Sequence, residues 1–235
     1  MNKMKLPGKM KVKKTILLVL VIVAILVLIY EGVKNNKEKI NLNKETQDQE
    51  TQFKEESKEI DINLKNNEDL LKKEEQEKIL YNESYTLFFS NEYEKAISKA
   101  NELIEVFPSN AKGYNIRGIA KSYNGDFEEG MKDIDKALEL DPQYGYAMFN
   151  KALTYELYGK LDDALVWYNK NLEVEKYVWT YYGIASIYGR RGDIQNTVTY
   201  LKKAIDIDES VKKEARDEAD FNPVRDYEEF QKLIM

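Results

Sequence analysis

The sequence predicts an all-α protein dominated by an α-solenoid, a stack of paired antiparallel helices. Three observations predict it. Four turn-like triplets, Asn91-Glu92-Tyr93, Gly125-Asp126-Phe127, Gly159-Lys160-Leu161 and Gly192-Asp193-Ile194, recur at steps of 34, 34 and 33 residues. Small residues seven positions upstream keep the same step (Ser84, Gly118, Ala152, Ala185), and so does a second series, Ala96, Gly130, Ala164 and Thr197. A fixed period in this range is the mark of a repeat architecture, in which each unit buries its apolar face only against its neighbours.

Composition narrows the chemistry. The 235 residues carry 36 basic and 42 acidic side chains, a net charge of -6 that leaves no electrostatic footprint for nucleic acid. There is no cysteine and no histidine, so thiolate nucleophiles, zinc-thiolate sites and the commonest general base are excluded together. No phosphate loop, metal cluster or nucleotide fingerprint occurs, and no cofactor is expected. Tyrosine is abundant at 17 copies, most of them from Tyr81 onward.

The chain begins with a basic segment, residues 1–14, containing Lys3, Lys5, Lys9, Lys11, Lys13 and Lys14. An uncharged run from Ile16 to Tyr30 follows. Fifteen helical residues rise only about 22 Å, short of a hydrocarbon core of roughly 30 Å. Extension from Val12 to Val33 closes the gap, because Lys13 and Lys14 can snorkel to the headgroups. A cleaved secretory signal would need a small-x-small site, which the residues after Leu28 (IYEGVKNN) lack. Residues 15–33 are therefore expected to be a transmembrane signal-anchor. Six lysines before the span against four after it (Lys34, Lys37, Lys39, Lys44) put the amino terminus in the cytoplasm and the remainder outside.

Residues 34–67 are rich in Lys, Glu, Asn and Gln, hold one aromatic residue, Phe53, and do not keep a heptad spacing. They are expected to be a charged flexible linker, ended by Asn67 as the cap of a helix starting at Glu68. The solenoid is expected over 68–211, with repeats 77–110, 111–144, 145–177 and 178–211, and a C-terminal cap over 212–235. Within a repeat, small residues sit where helix backbones approach and the large apolar residues fill between. In the second unit Tyr114, Ile116, Tyr123, Phe127, Met131, Ile134 and Leu138 supply that bulk, and Asp141-Pro142 stops the second helix.

The stretch from Ala111 to Tyr144 resembles a complete tetratricopeptide repeat. Tyr114 stands at the usual tryptophan position, Gly118 at the first small position, Ala137 at the late alanine and Pro142 at the terminal proline. The other three units match in register through Leu80, Ser84, Ala96 and Pro108; Met148, Ala152, Tyr155, Ala164 and Tyr168; and Tyr181, Ala185, Tyr188 and Ala204. Leu103 and Asn171 depart from the late alanine, Thr197 from a small position, and the last two units lack the closing proline. The chain is thus similar to bacterial, membrane-anchored tetratricopeptide-repeat proteins. The resemblance implies a right-handed α-solenoid of about four helix pairs closed by a capping helix, for which Phe221, Tyr227, Phe230, Leu233 and Ile234 are suited.

The resemblance also implies a function. In the family the first helix of each unit lines a concave groove that binds another protein. Register places Tyr81, Tyr85, Phe88 and Phe89 on that surface from the first unit, and Asn115, Ile119, Ser122 and Tyr123 from the second. The third supplies Tyr146, Phe149, Leu153, Glu156 and Leu157, the fourth Trp179, Tyr182, Ser186 and Arg190. Rings give large rigid contact area at small entropic cost, so such a groove suits a peptide with apolar side chains. Family members that clamp a terminal carboxylate use lysine and asparagine where this chain has Tyr81 and Tyr85. The expected protein is a non-enzymatic scaffold on the outer face of the cytoplasmic membrane, with a protein partner and the lipid bilayer as its two contacts, recruiting an envelope, secretion or cell-wall component. Self-association into stacked solenoids is the alternative. Carboxylate chemistry at Asp162 and Asp163 is disfavoured, because adjacent helical residues point about 100° apart.

Overall fold

The computed structural model describes residues 9–235. It divides into two compact units between Leu71 and Lys72. Helix α1 runs from Met10 to Phe89. Within it, the 29 residues Lys14–Leu42 are long and apolar enough to cross a membrane, and none of that stretch is buried.

Over 34–67, where a flexible linker is expected from composition, the structure has helix. The backbone is helical throughout, so Asn67 lies inside a helix and caps nothing. The reason is that composition tests two different things. Few apolar residues mean that no core can form, and Phe53 and Leu64 are indeed exposed. Yet Lys, Glu, Gln and Leu are strong helix formers, and after Gly32 the segment has neither glycine nor proline to interrupt them.

In the second unit the end of α1 is followed by α2 (Tyr93–Val106), α3 (Ala111–Tyr123), α4 (Phe127–Leu140), α5 (Gly145–Leu157), α6 (Leu161–Val174), α7 (Val178–Arg190) and α8 (Ile194–Ile207). These are stacked helix pairs. The turn inside each pair holds one residue in the left-handed region: Asn91, Gly125, Gly159 and Gly192, with φ of 60°, 96°, 73° and 71°. Asparagine is the side chain that best tolerates this conformation, which explains why the first turn can do without glycine.

The small positions mark the crossings. A Cβ on Gly118 would lie 2.7 Å from the Gly130 carbonyl oxygen, so α3 and α4 touch backbone to backbone there. In the first pair Ser84 and Ala96 meet in the same way, with the Ser84 hydroxyl donating to the Ala96 carbonyl at 2.9 Å. The departures from the family pattern are absorbed locally. Leu103 is fully buried against Gly113, whose missing Cβ makes room for it. Asn171, also buried, donates to the Gly145 carbonyl at 2.9 Å and accepts from the Thr180 hydroxyl. Helix starts are capped by Asn110, which accepts from the Gly113 amide at 2.7 Å, and by Asp126 and Asp193.

The carboxyl end is closed by α9 (Val211–Asp217), a 3₁₀ turn (Ala219–Val224) and α10 (Glu228–Ile234). Val211, Ala215, Phe221, Val224 and Phe230 pack into one cluster with Tyr182, Ala185, Leu201 and Ala204. Leu233 and Ile234 are half-buried against it, whereas Tyr227 is turned outward and 49% exposed.

Candidate functional site

Rings from four helices meet at one cleft of about 320 Å³. Helix α1 supplies Tyr85, Phe88 and Phe89, and α3 supplies Tyr123. Helix α5 adds Tyr146, Phe149, Asn150 and Leu153, while Tyr177 and Trp179 come from the start of α7. The α1 contribution follows from helical spacing. Tyr81, Tyr85 and Phe89 are four apart and stack along one side, with centroids 5.9 and 4.5 Å apart. Phe88, one residue round, is buried against Ala96, Ala100 and Ile116 and meets Tyr123 edge-on at 5.3 Å.

On the other side Phe149 stands edge-on to Tyr177 at 5.1 Å and is stacked with Tyr146 at 6.1 Å. Such offset and T-shaped pairs hold the walls rigid. Burial pushes the hydroxyls of Tyr123, Tyr146 and Tyr177 above the ordinary phenol range, so the walls stay uncharged at neutral pH. Among the described residues, no lysine or arginine lines the cleft. A larger depression of about 630 Å³ lies along α3 and α4, but charged side chains line most of it, among them the Arg117–Asp133 pair at 2.6 Å.

Of the residues that register placed on the groove, eight line this cleft: Tyr85, Phe88, Phe89, Tyr123, Tyr146, Phe149, Leu153 and Trp179. Tyr81 stacks on Tyr85 beside it, and Leu157 is exposed without lining it. The others lie elsewhere. Ile119 is fully buried in the core, Asn115 accepts a buried hydrogen bond from Asn150 at 3.1 Å, and Ser122 accepts from Thr154 at 3.1 Å. These three bridge one helix pair to the next.

Glu156, Ser186 and Arg190 form a polar knot with Tyr168 and Asp220 rather than a free surface. Glu156 accepts from the Tyr168 hydroxyl at 2.6 Å and from Ser186 at 3.2 Å, and it pairs with Arg190. Arg190 also pairs with Asp220 of the 3₁₀ turn at 3.3 Å, and Ser186 donates to the same carboxylate. Burial pushes the Glu156 carboxyl up, against the opposing pull of the Tyr168 hydroxyl and the Arg190 guanidinium. Tyr182 is covered by Phe221, 5.6 Å away, and its buried hydroxyl has no partner among the described residues. Register counting missed Asn150 and Tyr177. Tyr177 precedes the first turn of α7, so only the density of rings around it signalled a role.

Asp162, one half of the disfavoured carboxylate pair, is 94% exposed and bonded to Arg191 at 2.7 Å, as on any solvated helix face.

A stack of helical hairpins with left-handed turns at steps of 33–34 residues and a ring-lined cleft on its first helices defines a repeat-type binding scaffold. Tetratricopeptide-repeat family profiles match residues 111–144, 134–166 and 180–211. The chain is 28% identical over 130 residues to the small glutamine-rich tetratricopeptide repeat-containing protein 2 of Saccharomyces cerevisiae, covering 54% of this chain and 35% of that one. It is 35% identical over 68 residues to an uncharacterized protein of Methanocaldococcus jannaschii, covering 29% and 79%. Among solved structures, MamA (41-end) from Desulfovibrio magneticus RS-1 superimposes with a TM-score of 0.50 at 19% identity over 67% of this chain and 88% of that one, a likeness of fold. The chain spans about a third of the yeast relative's length. The protein belongs to the tetratricopeptide-repeat family, whose members mediate protein–protein interactions.

Proposed function

We propose that the protein is a membrane-tethered scaffold that captures an extended or helical segment of another protein in the aromatic cleft. Residues 15–33, within the apolar stretch Lys14–Leu42 of α1, serve as the uncleaved anchor, with the amino terminus in the cytoplasm and the repeats outside. In that position the partner is an envelope, secretion or cell-wall component. One observation carries the reading: eight side chains picked by repeat register line a single uncharged cleft of about 320 Å³, with Phe88 and Phe149 also rooted in the core behind it. A site of this size, apolar and stiff with a few polar tips, is suited to binding and has no group placed for acid–base or nucleophilic work.

The test is site-directed photo-crosslinking in cells that make the full chain. A photo-reactive residue at Phe89, which is 58% exposed in the cleft, is expected to give a discrete adduct with a different protein. The same residue at Val166, exposed on α6, is expected to give none. Equal labelling at the two sites would refute capture in the cleft, and an adduct with a second copy of this chain would favour the stacked-solenoid alternative. A reporter fused after Met235 tests topology, since activity confined to the cytoplasm would reverse the orientation.

A further inference from the structure

Outside the cleft, several rings on the solenoid surface are covered by the chain's own cations. Lys151 and Lys170 flank Trp167, with ammonium groups 3.9 and 4.0 Å from the ring centroid. Lys160 lies 4.2 Å from the Phe127 centroid and Lys203 lies 4.8 Å from that of Tyr200, while Arg117 lies over Tyr114 and Lys112 over Tyr81. Among the described residues, none of these cation–ring contacts uses a ring that lines the cleft.

Ring faces carry negative quadrupole potential, and they attract ammonium and guanidinium groups most strongly where water is excluded. The cleft gathers eight rings about one cavity and places no cation of its own there. The carboxylates of Glu156 and Glu175 act on Tyr123 and Tyr177, and Arg190 is engaged by Glu156 and Asp220. At the edge of the cleft Lys112 lies over Tyr81, outside the lining. Leu153 is the single aliphatic side chain among the described residues that line it, so its walls are almost wholly ring surface.

We propose that the cleft receives a lysine or arginine side chain from the captured segment, holding the cation against ring faces and the aliphatic stem between them. This names the partner's chemistry and rests on the reading of the cleft as a peptide site. An extended segment with one basic residue among small apolar ones fits both the volume and the potential.

The experiment uses the full chain in uncharged maltoside micelles with Trp167→Phe, which leaves Trp179 in the cleft as the one tryptophan reporter. Two acetylated, amidated pentapeptides are titrated, alanine throughout except for a central lysine in one and norleucine in the other. The pair shares its stem and differs in the ammonium group. The lysine peptide is expected to saturate at a concentration at least about fivefold lower, and to keep that preference in raised salt, as a desolvated cation–ring contact does. Tyr85→Leu with Phe89→Leu, both at exposed positions, is expected to bring the two peptides within about twofold of each other. Norleucine binding as well as or better than lysine overturns the cation assignment while leaving a peptide cleft in place. Saturation by neither peptide also overturns it, and the crosslinking at Phe89 then decides separately whether any segment is captured.

Discussion

Replacing Phe221 by alanine tests whether the carboxyl cap completes the last repeat or merely trails from it. The ring is fully buried. It meets Phe230 at 5.2 Å and Tyr182 edge-on at 5.6 Å, and it lies so close over Gly189 that a Cβ there would stand 2.7 Å from the Phe221 Cδ1 atom. Truncating a buried phenylalanine costs roughly 3–5 kcal/mol through lost transfer energy and the cavity left behind. One term opposes this. The Tyr182 hydroxyl is buried without a partner, a penalty of about 1–3 kcal/mol that water entering the vacated space would relieve. Setting the middle of one range against the middle of the other, the net expected loss is about 2 kcal/mol.

Urea unfolding followed by tryptophan fluorescence measures it, because Trp179 packs on Tyr182 at 5.5 Å and so reports on the same end of the solenoid. A second substitution makes the test specific to this contact. Gly189→Ala alone forces its new methyl group into the Phe221 ring and toward the Asp220 carbonyl, at 2.9 Å, and is expected to cost about 1–3 kcal/mol. In the Phe221→Ala background the ring is gone, so the two losses should fall short of adding by roughly 1 kcal/mol or more. A Phe221→Ala loss below about 1 kcal/mol, or strict additivity of the pair, would show that the cap does not bear on α7 as described.

Other outcomes follow from single residues. Gly125→Ala places a methyl group in open space, so its whole cost is the left-handed backbone at φ 96°, about 1–2 kcal/mol by thermal unfolding. Asn110→Ala removes the side chain that caps α3 and that also donates to Glu77 at 2.6 Å, and is expected to cost about 1 kcal/mol. Glu156 titrates upward in the fold because it is buried, so the native state holds its proton more tightly than the unfolded chain. Its contribution to stability is then largest at low pH and declines as pH rises from the ordinary glutamate value of about 4.3 through the raised folded value. The stability of the wild type minus that of Glu156→Gln, measured across that range, should therefore fall with rising pH. A difference that rises instead would mean that Arg190 dominates the site.

The helix pairs were legible because their determinants are local. A left-handed residue in the turn inside each pair and a small residue at each crossing are demands of backbone geometry, and they recur wherever a hairpin recurs. The helical course of 34–67 was not legible from the same reasoning. A segment that cannot build a core can still be helical, and the composition that argued for solvation argued equally for helix. In the site, register puts Tyr85 and Phe89 on one side of α1, since a step of four residues returns to the same side of a helix, and the cleft brings them together with Tyr146 and Phe149 of α5. Asn115, Ile119 and Ser122 lie buried instead, because register fixes a side of the helix and says nothing of how far the neighbouring helix wraps round it.

Tyr182, Ser186 and Arg190 show what bounds such a groove. In an endless solenoid the first helix of every unit would offer equivalent positions, and counting by repeats would be sufficient. This solenoid ends, and the 3₁₀ turn that ends it brings Asp220 and Phe221 onto α7. The last helix pair therefore presents to the cleft only what precedes that contact, Tyr177 and Trp179 at the amino end of α7. The Glu156–Arg190 pair stands at the border, joining α5 to α7 and α7 to the cap, so the segment that closes the solenoid also limits its recognition surface. Under the proposed function a partner segment is read chiefly by α1, α3 and α5, and substitutions in the cap should alter stability well before they alter what the cleft selects.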